Sequence, residues 1–165
     1  MDEIDSKIFI SDFAKKLKQN GFATYWSIKG CLEIGVREIE KNFGYHLPKI
    51  YREFLLKMGL GAGKFYQGTD IFWEKGFLDY RDWTEFREAF LDILKDEKSN
   101  FELTNNCFVF AHHQGYIFWF FYVQIGEENP PVYGYKDREI KKVSDSFSAF
   151  LLESLEEQKE LLKFF

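Results

Sequence analysis

The sequence predicts a single α+β domain over residues 1–165. Apolar residues recur at helical spacing in several separated segments, and two strand-like runs meet at His113-Gln114-Gly115. No linker, repeat or low-complexity tract divides this order. At 165 residues the chain can form one core, burying about 70% of the surface its unfolded form would expose. Apolar residues make up 45% and aromatics 20%, with 20 Phe, which supplies that core and argues against disorder.

Phe9, Phe13 and Leu17 recur at spacing four and predict a helix over about residues 9–20, with Ser11 available as a cap and Asn20-Gly21 as the stop. Val36, Ile39, Glu40 and Phe43 give a second helix, closed by Gly44 where a left-handed residue commonly ends one. In FGYHLPKIYREFLLKMGLGAGKF, Pro48 suits the first helical position because its missing N–H costs nothing there. Tyr51, Phe54, Leu55 and Met58 then line one face, and Gly59, Gly61 and Gly63 stop the helix.

Lys64 to Tyr66 and Asp70 to Trp73 read as short strands ahead of an aromatic loop, GFLDYRDW. Asp82 and Glu85 fit a capping box before a helix marked by Phe86, Phe90, Ile93 and Leu94. Cys107 to His112 and Tyr116 to Ile125 form the hairpin. In its second strand Tyr116, Phe118, Phe120 and Tyr122 face one way, and Ile117, Trp119, Phe121 and Val123 the other. Both faces are apolar, so this strand is expected to be central and covered on both sides. Glu127 to Pro131 form a loop and Val132 to Tyr135 a further strand. The last helix begins near Ser144, runs over about residues 145–163, and buries Phe147, Phe150, Leu151 and Leu155. Its outer carboxylates, Glu153, Glu156, Glu157 and Glu160, read as a solvated face or as an acidic strip for a partner. Leu161, Leu162, Phe164 and Phe165 beyond them either dock on the domain or feed a dimer contact, which leaves a monomer or a weak dimer.

Lys plus Arg total 22 against 27 Asp plus Glu, a net charge of −5. Such a field repels nucleic acid and attracts a basic partner. Two cysteines, Cys31 and Cys107, lack a C-x-x-C pairing, as expected in a reducing compartment. MDEIDSKIFI is too charged for a secretory signal, and no apolar stretch approaches the ~18 residues of a membrane span, so a cytoplasmic location is expected.

The glycine run resembles a phosphate loop only loosely. Met58 stands where the first glycine belongs and Phe65 where the hydroxyl belongs, and the run follows a helix instead of opening one. His112 and His113, as strand neighbours, point to opposite faces and cannot share a metal ion from a regular strand. Neither pairs with Cys107 as a catalytic base. The aromatic strand could stack bases, but residues 107–125 contain no Lys or Arg to hold phosphates. The expectation is therefore no catalytic, metal or cofactor site.

Trp73, Phe77, Tyr80, Arg81 and Trp83 mix residue types common at interface hot spots, although such rings can equally pin a loop to the core. The expected partner contacts are Trp73, Glu74, Asp79, Tyr80 and Asp82, followed by Glu127 and Glu128.

From about Ile34 to Leu155 the chain resembles the Smi/Knr-type proteins of the SUKH superfamily. The resemblance rests on REIEKNFGYHLP, on Leu47, Pro48, Tyr51, Phe54 and Leu55 in an L-P-x-x-Y-x-x-F-L pattern, and on the glycine turn at Gly59, Gly61 and Gly63. NCFVFAHHQGYIFWFFYV, PPVYGY and VSDSFSAFLLESL resemble the family's hairpin, next strand and closing helix. Gln114-Gly115-Tyr116 departs from the acidic residue that many relatives carry there, and the aromatic loop does not align. The resemblance implies a central, mostly antiparallel sheet flanked by helices and a non-enzymatic binding domain. Many bacterial members resemble, or are, immunity proteins that neutralise a polymorphic toxin, often a nuclease, whereas fungal relatives act as interaction hubs in cell-wall signalling. An antitoxin binding a basic toxin domain is the first expectation, and a regulatory scaffold without a toxin the second.

Overall fold

The computed structural model describes residues 3–76, 79–80 and 82–163. Phe77, Arg81, Phe164 and Phe165, singled out above, lie outside the described residues. In chain order the elements are α1 (Glu3–Gln19), β1 (Ile28–Lys29), α2 (Glu33–Phe43), α3 (Lys49–Met58), β2 (Gly61–Ala62), β3 (Glu74–Gly76) and β4 (Asp79–Tyr80). There follow α4 (Glu85–Asp96), β5 (Cys107–His113), β6 (Ile117–Tyr122), β7 (Val132–Lys136), β8 (Glu139–Ser144) and α5 (Phe147–Leu162).

The helices fall where the periodicity puts them, with changes at their ends; α1 begins at Glu3 and not near residue 9, which leaves Ser11 inside the helix and not at its cap. Gly44 closes α2 in the left-handed region at φ 91°, and its N–H reaches the Glu40 carbonyl. Pro48 sits one residue outside α3, at the cap, and no side chain there bonds the helix. The cap comes instead from far along the chain. A Glu128 carboxylate oxygen accepts the Lys49 N–H at 2.7 Å, and the Glu128 carbonyl accepts the Ile50 N–H at 3.2 Å. Next door, Asn129 accepts the Ser148 N–H at 3.0 Å, and Ser146 accepts that of Ala149 at 3.1 Å, so this loop finishes α5 as well. Glu128→Ala is expected to cost about 1 kcal/mol, as the loss of a cap does. Urea unfolding checks this, and an unchanged midpoint would show that water replaces the carboxylate.

Gln114 and Gly115 both take positive φ, 52° and 76°, in a tight turn closed by the Tyr116 N–H on the His113 carbonyl at 3.2 Å. They fold β6 back on β5, and the sheet continues antiparallel in the order β5-β6-β7-β8. The strand expected to be central is central, and helices cover both of its faces. Phe121 and Phe110 meet Tyr51 of α3 and Phe147 of α5, with α1 packed along α3. On the opposite side Phe118 and Phe120 meet Phe90 of α4 at 4.7 and 5.7 Å.

Several local expectations fail. Lys64 to Tyr66 are turn, not strand, with Tyr66 at φ 57° and its N–H given to the Gln158 side chain at 2.8 Å. Of Asp70 to Trp73 only Asp70 pairs, in an isolated bridge to His112. Downstream, β3 and β4 form a small bulged ladder that runs from Glu74 into the loop assigned to GFLDYRDW. The capping box is half made: Glu85 reaches the Asp82 N–H at 3.4 Å, while Asp82 turns to the N–H and hydroxyl of Thr84 at 2.9 and 2.8 Å. β8 was not anticipated at all.

Candidate protein-binding groove

Backbone hydrogen bonds gather three segments beside the end of α3. The Cys31 N–H bonds the Leu55 carbonyl at 2.8 Å, the Leu60 N–H that of Lys29 at 2.9 Å, and the Trp73 N–H that of Gly59 at 2.8 Å. Gly30 permits this closeness, because a Cβ there would meet the Leu56 carbonyl oxygen at 1.8 Å. On this base Cys31, Leu60 and Trp73 form one side of a groove of about 490 Å³. Leu32, Ile34, Gly35, Glu38, Ile39 and Asn42, at and along α2, form the other, with Asp82 and Trp83 at the end.

A buried carboxylate holds α2 in place. Glu40 accepts the Leu47 N–H at 2.7 Å and the Arg52 Nε–H at 3.0 Å, and Arg52 also gives Nη2–H to Glu33 at 2.7 Å. The Arg52 hydrogen bond keeps the Glu33 carboxyl below the usual carboxylate range. α2 is thereby tied to α3, and its outer residues are presented on a fixed helix.

The groove joins apolar surface to negative charge. Leu32 and Ile34 are 75% and 73% exposed, and the Trp83 ring is half-buried against Phe43. The lining holds two carboxylates, Glu38 and Asp82, and no Lys or Arg. Neither carboxylate has a cationic partner among the described residues. The N–H and hydroxyl of Thr84 hold the Asp82 carboxyl below its ordinary range, so it stays ionised near neutral pH.

Thiol chemistry gains no support from the surroundings of the cysteines. Burial pushes Cys31, in the groove wall, up to about 11, and Cys107 up to about 12. Both are protonated near neutral pH, and a thiol is a weak nucleophile. His112 lies 3.6 Å from Asp70 and packs on Phe86 and Phe118, while His113 meets Thr69 at 3.2 Å, in keeping with the alternation of a strand.

The predicted contact residues divide between two places. Trp73 is a correction: at 3% exposure it is a core ring, giving its indole N–H to Tyr51 at 3.2 Å and packing on Phe86 at 5.3 Å. Glu74 is half-buried and paired with Lys29 at 3.8 Å, Asp79 and Tyr80 form β4, and Asp82 stands at the groove. Glu127 and Glu128 line a different hollow of about 810 Å³, beyond α2, which also carries Arg37, Lys41 and His46. There Glu128 caps α3 and Glu127 accepts the Asn129 N–H at 3.3 Å, so both carboxylates serve the fold. Sequence reasoning missed Leu32, Ile34 and Glu38. The exposed side of α2 breaks the amphipathic pattern at Ile34, and that was the available signal.

A match to the SMI1 / KNR4 family (SUKH-1) spans residues 30–153, three quarters of the chain. The chain belongs to the SMI1 / KNR4 family. Every residue lining the groove falls inside the matched span. No curated protein matches this SMI1 / KNR4 chain. Among its described residues, no helix is long and apolar enough to cross a membrane.

Proposed function

We propose that this SMI1 / KNR4 protein is a non-enzymatic immunity protein that neutralises a cognate polymorphic toxin, a nuclease, by direct binding in the cytoplasm. The observation that supports this reading best is the groove: exposed Leu32 and Ile34 on a clamped helix, beside carboxylates that no cation neutralises among the described residues. Tight association needs a rigid scaffold, apolar anchors and complementary charge, and requires no catalytic group in the inhibitor. The net charge of −5 steers such a protein toward a basic nuclease, whose own charge exists to hold nucleic acid.

Co-expression tests the reading. Cells making the toxin encoded beside this protein are expected to survive when the protein is co-produced and to die under an unrelated toxin. A cell-wall-type regulatory scaffold would rescue from neither. The association rate should also fall by at least about ten-fold between low and physiological salt, as steered encounters do. A salt-independent rate would remove steering from the account.

A further inference from the structure

A second apolar feature lies a short way along the chain from the groove. Tyr25 and Trp26 are 74% and 84% exposed, and their rings meet edge-on at 5.2 Å. They sit in a turn closed from both ends: Ser27 Oγ accepts the Thr24 N–H at 2.8 Å, and Thr24 Oγ1 accepts the Ser27 N–H at 3.2 Å. Two large rings are thus displayed on a fixed backbone, where binding would lose little conformational entropy. From this turn the chain passes through β1, whose Lys29 carbonyl binds the Leu60 N–H of the groove wall, and reaches Leu32 at the groove mouth. At ~3.4 Å per residue, Trp26 and Leu32 lie within about 20 Å of each other, inside the footprint of one ordinary protein interface.

We propose that the groove and the Tyr25–Trp26 turn form one docking face for a basic segment of a protein partner. The segment lays an apolar side chain against Leu32, Ile34 and Trp83, sets Lys or Arg beside Glu38 and Asp82, and covers the two exposed rings. Charge selects this occupant, since among the described residues the groove lining offers carboxylates and no basic side chain, and an acidic segment would be repelled. Guanidinium and ammonium groups are also the cations that aromatic faces such as Tyr25 and Trp26 attract. The proposal rests on the protein-binding reading above and adds the chemistry of the partner and the turn as its second anchor.

The test uses the full chain, labelled with nitrogen-15 and titrated with three synthetic hexapeptides, KKLFKK, EELFEE and KKSSKK. KKLFKK is expected to shift the amide signals of Trp26, Ile34, Glu38, Leu60 and Asp82 saturably. The other two should bind at least about ten-fold more weakly, because each lacks one half of the chemistry. The double variant Glu38→Lys, Asp82→Lys, checked for an unchanged melting curve, should exchange the preference to EELFEE. Equal shifts from KKSSKK, shifts centred on residues 124–126 or on α5, or no saturable binding would each overturn the proposal. So would concentration-dependent self-association that buries these same residues. Toxin rescue is read separately with a Leu32→Ser, Ile34→Ser variant of native melting behaviour. Full rescue by that variant removes the docking face and leaves the antitoxin reading standing. Selective KKLFKK binding without rescue of cells does the reverse.

Discussion

Tyr51→Ala is expected to lower stability by about 4 kcal/mol, the loss that truncating a buried aromatic ring produces. The ring lies between the α3 layer and the sheet, within 5.3 to 5.8 Å of Phe54, Phe108, Phe121 and Phe147. Removing it opens a void that four rigid neighbours cannot fill by small shifts. Tyr51→Phe separates the ring from its hydroxyl. It keeps the packing but leaves the Trp73 indole N–H without its acceptor, at an expected cost of about 1–2 kcal/mol. Equilibrium unfolding in urea measures both. Equal losses from the two variants would place the hydroxyl, not the ring, at the centre of the core.

The second large effect falls on Glu40. Glu40→Ala is expected to cost about 3 kcal/mol, because it strands the Leu47 N–H and removes one of the two carboxylates that Arg52 holds. Glu40→Gln should cost less, since the amide oxygen can still accept one of the two hydrogen bonds. The damage should also reach the groove, whose α2 wall is fastened by this clamp. Partner affinity and stability should therefore fall together in Glu40→Ala, whereas Ile34→Ser should lower affinity alone. A Glu40→Ala loss below about 1 kcal/mol would show the pair to be no stronger than a surface salt bridge.

Elements whose burial follows a simple period were legible in the sequence. Phe86, Phe90 and Leu94 mark α4 because only one of its faces meets the sheet, and β6 betrays its central position by lacking a polar face. β8 reads EIKKVS and was missed for a physical reason: it is an edge strand, with Lys141 and Lys142 in water and only part of one face against the core. Charge on an edge discourages further strand pairing, and it also erases the pattern by which strands are recognised. Lys64 to Tyr66 misled for the opposite reason. Phe65 and Tyr66 are apolar enough for a strand, but Tyr66 bonds Gln158 and Ser154 on α5 and bends the backbone into a turn.

The candidate site was only partly legible. Asp82, singled out for its aromatic setting, does line the groove. Trp73 misled because a tryptophan beside carboxylates looks like an interface anchor, and only the tertiary structure supplies the Tyr51 oxygen that draws its indole inside. Leu32 and Ile34 went unnoticed because apolar residues near a helix start suggest core, and exposure depends on what the rest of the chain leaves uncovered.

The capping of α3 by Glu128 also orders events in time. Its donor and acceptor are 79 positions apart, and the first turn of the helix lacks this partner while the ribosome has yet to deliver the later residue. Such a distant closure slows acquisition of the native state relative to a locally capped helix. Much of the domain must therefore have been translated before α3 is fully seated, and competence to meet a partner arrives late in the life of the nascent polypeptide.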